Sequence, residues 1–147
     1  MKYSPKNIYL ADDDRDDRLL FTDALGELTP STKVTTFENG VDLMANLLDK
    51  EKGLPDFIFL DLNMPMMNGE ECLADIRNEL RLNEIPVIIY SGYYDEMKVA
   101  FLQKKGADRY LQKPRSFEQL KFCLQRCIES LEQSALKIVP VPQFVIK

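Results

Sequence analysis

The sequence predicts an α/β domain: a doubly wound, five-stranded parallel sheet with five helices over its two faces. Three observations predict it. Short apolar runs rich in Ile, Val, Tyr and Phe recur five times along the 147 residues. Longer segments with apolar residues at helical spacing separate them. The runs are also almost continuously apolar, as strands buried on both faces must be, and such an alternation closes through right-handed crossovers.

Taken in order, the first strand is read at Asn7 to Ala11 (NIYLA) and the first helix at Arg15 to Leu28, with Leu19, Leu20, Ala24, Leu25 and Leu28 as its apolar stripe. The second strand is Lys33 to Phe37 (KVTTF); Asn39-Gly40 then turns the chain into a helix over Val41 to Leu48. Past Gly53 and Pro55 comes the third strand, Phe57 to Asp61 (FIFLD), and after Asn68-Gly69 a helix over Glu70 to Leu80. Pro86 to Tyr90 (PVIIY) and Asp95 to Lys105 form the fourth pair, and Gly106 leads to the fifth strand at Arg109 to Gln112 (RYLQ). The last helix, Phe117 to Leu131, carries Phe117, Leu120, Leu124, Cys127, Ile128 and Leu131 on one stripe. Beyond the domain of residues 1–134, Ala135 to Lys147 (ALKIVPVPQFVIK) reads as an extended tail, because Pro140 and Pro142 forbid a helix. Its apolar residues predict packing on a neighbouring protomer or a sheet edge, giving a homodimer. A disordered end is the plainer alternative.

Composition narrows the function. With 45% hydrophobic and 29% charged residues the chain fits one globular domain. No run approaches the roughly 18 apolar residues of a membrane span, and the amino-terminal stretch lacks the core of a secretory signal, so a cytoplasmic location without membrane contact is expected. Cys72, Cys123 and Cys127 form no C-x-x-C pair, which disfavours a disulfide framework or zinc site. A net charge of −5 argues against a nucleic-acid partner. The absence of histidine excludes every mechanism with an imidazole base or ligand.

The chemistry concentrates where strands end. Five of the six residues from Asp12 to Asp17 are aspartates, interrupted only by Arg15. Ligands of an open parallel sheet bind outside the carboxyl ends of its strands. Asp12 and Asp13 follow the first strand, Asp61 ends the third, Ser91 follows the fourth and Lys113 follows the fifth, so all five converge on one edge. Asp14, Asp16 and Asp17 begin a helix, where the dipole favours acids, and receive a structural reading. Three neighbouring carboxylates need a cation, and hard oxygen ligands beside a lysine select Mg²⁺ over zinc. A divalent ion, a lysine, a hydroxyl and a spare carboxylate together suit phosphoryl transfer to an aspartate.

Four motifs, LADDD, FLDLNMPMMNG, IIYSG and YLQKP, resemble in order and content those of the receiver domains of two-component response regulators, over roughly Asn7 to Leu131. The resemblance implies a CheY-like, flavodoxin-like sheet of order 2-1-3-4-5. It implies that Asp61 accepts a phosphoryl group from a phosphohistidine on a sensor histidine kinase or phosphotransfer protein. Asp13 and Asp61 would ligate Mg²⁺ directly with the backbone carbonyl of Asn63, and Asp12 would act through bound water. Lys113 would pair with phosphoryl oxygens and Ser91 would donate its hydroxyl, while Tyr110 would swing from exposed to buried. The Lys113-Pro114 bond would be cis. The face of the fourth helix, fifth strand and fifth helix would then bind a downstream protein target in a phosphorylation-dependent way, with only slow autodephosphorylation and no enzymatic turnover of a substrate. With no effector module after Leu131, output is expected through another protein or by passing the phosphoryl group on. The short form also resembles regulators paired with phytochrome-type kinases. Arg115 departs from the apolar residue usual in the family, and the positions of Asn63 and Tyr93 influence how long the acyl phosphate lasts.

Two readings compete. A hydrolase of the haloacid dehalogenase type would need an aspartate two residues after Asp61, where Asn63 stands; a receiver-fold scaffold indifferent to phosphorylation needs only the fold. Met64, Met66 and Met67 are expected to fill gaps in a loop, and Cys123 and Cys127 to pack as small apolar groups.

Overall fold

The computed structural model describes residues 6–133 and 144–147. Its elements run β1 (Asn7–Ala11), α1 (Arg15–Leu28), β2 (Lys33–Phe37), α2 (Gly40–Leu48), β3 (Phe57–Leu60), α3 (Gly69–Asn78), β4 (Val87–Ser91), α4 (Glu96–Lys104), β5 (Arg109–Gln112), α5 (Phe117–Gln133) and β6 (Val145–Ile146). The sheet is parallel throughout, in the order β2-β1-β3-β4-β5-β6.

Five strands and their order are as expected; the sixth is a correction. Val145 and Ile146 pair with Tyr110 and Leu111 of the same chain, so the end of the tail satisfies β5's otherwise open edge and adds a strand to the five expected. Phe144, fully buried, joins the core under α2, α3 and α4 with Tyr110, Val99 and Leu102. Ile146 joins the core under α1 and α5. The remainder of the tail, residues 135–143, lies outside the described residues.

Each face of the sheet has its own core. Leu43, Leu47, Leu73, Ile76 and Leu102 close one side; Phe21, Leu25, Leu124, Cys127 and Ile128 close the other. The stripe of α1 differs from expectation. Leu19 and Leu20 are half exposed, and Phe21 is the buried residue. Phe21 shares a helical face with Ala24, Leu25 and Leu28, whereas its two neighbours lie off that face. Phe21 also stacks edge-on against Phe59 and Tyr90.

Helix starts follow the sequence chemistry. Asp14, Asn39, Asn68 and Asp95 cap α1 to α4 by accepting hydrogen bonds from first-turn amides, and Asn68 with Glu71 completes a capping box.

The connection into β5 is held by Arg77. Its Nε donates to the Gly106 carbonyl at 2.9 Å, Nη1 to the Ile85 carbonyl at 2.9 Å, and Nη2 to Asp108 Oδ2 at 2.8 Å. The same Asp108 oxygen accepts the Val87 amide at 2.8 Å. Removing the guanidinium takes a charged partner from a largely buried carboxylate and a donor from the carbonyls of Gly106, Ile85 and Asn83. Arg77→Met is therefore expected to cost about 3 kcal/mol, read as the shift in a urea unfolding midpoint; a loss under about 0.5 kcal/mol would contradict the network's role.

Candidate functional site

Three loops at the carboxyl edge of the sheet bring the charged groups together. The first leaves β1. Asp12 is fully buried, its amide donates to the Phe37 carbonyl at 3.0 Å, and its Oδ1 accepts the Asp14 amide at 2.9 Å. Asp13 points to solvent beside it. The second loop leaves β3. Asp61 is 6% exposed, its amide donates to the Ala11 carbonyl at 2.9 Å, and its Oδ1 accepts the Leu62 amide at 2.8 Å.

The loop after Asp61 is pressed against its surroundings by glycine. A Cβ on Gly69 would lie 2.2 Å from the Asp61 carbonyl oxygen, so only hydrogen fits there. Met64 is buried in the core and Met67 packs on it, as gap fillers do, whereas Met66 stands exposed with φ of 69°. Asn63 lies exposed two residues beyond Asp61.

The third loop leaves β5 with Lys113, whose amide donates to the Ser91 carbonyl at 2.8 Å. Its Nζ lies 2.8 Å from Asp12 Oδ2, 2.8 Å from Asp17 Oδ2 and 3.5 Å from Asp61 Oδ2, above the Tyr90 ring. Asp17 is the residue that sequence reasoning assigned to the helix start alone. It lies on the first turn of α1, but its side chain reaches the lysine. The bond from Lys113 to Pro114 is trans, against expectation, since the described chain contains no cis peptide; trans is the isomer favoured before proline.

Electrostatics mark Asp61 out. Burial raises its pKa to about 6; Lys113 opposes the rise and the neighbouring Asp12 adds to it. Lys113 behaves conversely. Burial disfavours its charge, but contacts with Asp12 and Asp17 and the charge of Asp61 more than offset this, and its pKa lies above that of an ordinary lysine.

Asp12, Asp13 and Asp61 offer carboxylate oxygens that all lie within 4.8 Å of one another. Asp12 Oδ2 is buried and, beyond its ion pair, makes no directed hydrogen bond. An all-oxygen donor set of three clustered carboxylates fits a hard divalent cation. The buried thiols fit no such role. Burial pushes both Cys72 and Cys127 up to about 12, and they pack as apolar groups.

Ser91 ends β4, 2% exposed, and its Oγ accepts the Tyr93 amide at 3.2 Å. Tyr110 is fully buried and its hydroxyl donates to the Tyr93 carbonyl, so it already occupies the inward position. Lys147 approaches the same region: its Nζ lies 5.0 Å from the Tyr94 ring centroid, and it lines a cleft of about 460 Å³ with Lys113, Pro114 and Arg115. Among the described residues no helix is long and apolar enough to cross a membrane.

Comparison with known proteins points to one family. The family model of the response regulator receiver domain matches residues 8–125. The response regulator Rcp1 of Synechocystis sp. is 28% identical over 142 residues, spanning 94% of this chain and 94% of Rcp1. The structure of RcpA, a phosphorylated cyanobacterial phytochrome response regulator, aligns with a TM-score of 0.80 at 29% identity, over 90% of this chain and 98% of that one. The Mn²⁺-bound form of Rcp1 aligns with a TM-score of 0.77 at 29% identity, over 92% and 99%. Other relatives are longer: the chain spans 46% of the response regulatory protein VC_A0850 of Vibrio cholerae.

Proposed function

The chain belongs to the response regulator receiver domain family, and on that premise we propose that it accepts a phosphoryl group on Asp61 from a sensor histidine kinase, or from a phosphotransfer protein, and signals through a phosphorylation-dependent protein contact. The observation that carries this reading is the placement of Asp61. It is a nearly buried carboxylate with Lys113 Nζ 3.5 Å away and oxygens of two further carboxylates within 4.8 Å.

Asp61 would attack phosphorus in line: the new O–P bond forms as the N–P bond of the donor phosphohistidine breaks, and the imidazole departs with the electron pair. Asp12, Asp13 and Asp61, with the backbone carbonyl of Asn63, would hold Mg²⁺, which supplies charge neutralisation at the phosphoryl oxygens when bound. Lys113 would neutralise a second side of the phosphoryl group as a point charge. Ser91 would give up the Tyr93 amide and turn its hydroxyl to a phosphoryl oxygen. Tyr93 and Tyr94, bonded to and stacked on Tyr110, would carry that movement to β5.

RcpA and Rcp1 point to a phytochrome-type kinase as the donor, because the first is a phytochrome response regulator and both match nearly the whole chain. The tail is proposed to act as a partner contact. Its last residues cover β5 at the face of α4, β5 and α5 through which the output is expected.

Intact-protein mass after incubation with acetyl phosphate and Mg²⁺ tests the proposal. A single phosphoryl adduct on the wild type, absent in Asp61→Asn and absent with EDTA, is the expected result. No adduct under any condition would sink the phosphoacceptor role and favour the scaffold.

A further inference from the structure

We infer that Asp17 is a positioning residue of the acceptor site: a competing counter-ion for Lys113 that weakens the site's hold on an incoming phosphoryl group. This rests on the phosphoacceptor reading above and goes beyond it by assigning a role to a residue outside the metal cluster.

Lys113 Nζ has three protons to donate, and its three closest acceptors are carboxylate oxygens of Asp12 and Asp17, both at 2.8 Å, and of Asp61 at 3.5 Å. Asp12 and Asp61 belong to the carboxylate triad that can hold a cation, and Asp17 does not. The Asp17 contact is a hydrogen bond as well as an ion pair, and it spans 96 residues of sequence. Capping of α1 needs only the Asp17 backbone: its amide donates to Asp14 Oδ1 at 3.0 Å. The side chain is thus spare for the lysine.

A phosphoryl dianion on Asp61 must take up the ammonium that Asp17 now engages, and it does so close to a fixed negative charge. Both effects have one sign: Asp17 disfavours the phosphorylated state. The Asp17 side chain is 33% exposed and Lys113's is 17% exposed, so the interaction is partly screened by water and by salt. Neutralising Asp17 in place leaves Lys113 held by Asp12 and free to turn to the phosphoryl oxygens.

Asp17→Asn is expected to lower the concentration of acetyl phosphate that half-saturates adduct formation by about fivefold at low ionic strength, an effect that shrinks as salt is raised. Mg²⁺ affinity, measured by calorimetry without phosphodonor, separates this from a metal effect. Loss of a nearby negative charge can only weaken the cation, so tighter phosphodonor use with unchanged or weaker Mg²⁺ binding cannot come through the metal. Asp17→Glu keeps the charge and is expected to stay within about twofold of the wild type. An unchanged or higher half-saturation in Asp17→Asn overturns the inference while leaving the phosphoacceptor role intact, and so does a Glu variant that shifts as far as the Asn variant. A wild type that takes no adduct removes the phosphoacceptor reading, and this inference with it.

Discussion

Asp61→Asn is expected to make the metal-free protein more stable, by about 2–3 kcal/mol at pH 7, while abolishing its proposed acceptor role. The pKa of Asp61 rises from 3.8 to about 6, first because burial penalises the charged form. Asparagine resembles the neutral acid in shape and charge. A shift of about two units is worth roughly 3 kcal/mol. The sign follows from proton linkage: between the two pKa values the folded state binds more protons than the unfolded one, so stability falls as pH rises through that window. Wild-type stability should therefore decline from about pH 4 to about pH 6 relative to the Asn variant, which lacks this contribution. Urea unfolding in EDTA across that range measures the difference. Parallel curves for the two proteins would show that Asp61 carries no such strain. Adding Mg²⁺ should largely cancel the difference, because an ion that binds only the folded wild type at 100 times its Kd stabilises it by about 2.7 kcal/mol. A phosphoacceptor held ready at a cost to the apo fold is the physical content of this result.

The second large effect concerns the sixth strand. Phe144→Ala is expected to cost about 3–5 kcal/mol, the usual loss for truncating a buried aromatic, since Phe144 is completely enclosed against Tyr110 and the α4 side of the core. Removal of residues 144–147 should cost a similar amount and expose the edge of β5, where Tyr110 and Leu111 lose their partners. Circular dichroism should show the α/β fold retained in both variants. A loss below about 1 kcal/mol would mean that the strand does not dock in solution. Because the strand pairs within its own chain, the midpoint should not depend on protein concentration. A midpoint that rises with concentration, together with a doubled molar mass in light scattering, would instead place the tail on a second copy.

Much of this was legible from residue order. Near-continuous apolar strands alternating with amphipathic segments are local signals, and the five principal strands and five helices lie within a few residues of where periodicity puts them. The parallel-sheet rule then carried Asp12, Asp13, Asp61, Ser91 and Lys113 to one edge, because strand ends in such a sheet must share an edge. Four features were not legible. Val145–Ile146 is too short to show a period, and it becomes a strand only because β5 offers an unpaired edge. Phe21 in place of Leu19 and Leu20 depended on which way α1 faces Phe59 and Tyr90. The isomer before Pro114 is the ordinary trans form where the family resemblance implied cis, and the burial of Tyr110 depends on its contact with Tyr93 after β4.

By itself, then, the sequence determined the fold class, the order of the elements and the set of groups available for chemistry, since these follow from local hydrophobic pattern and strand termini. Only the tertiary structure decided which carboxylates share Lys113 and what covers β5. Those are contacts between residues far apart in the chain, such as Asp17 and Lys113, 96 positions apart. Their energy depends on distance and burial in the packed molecule, and no window along the sequence contains it.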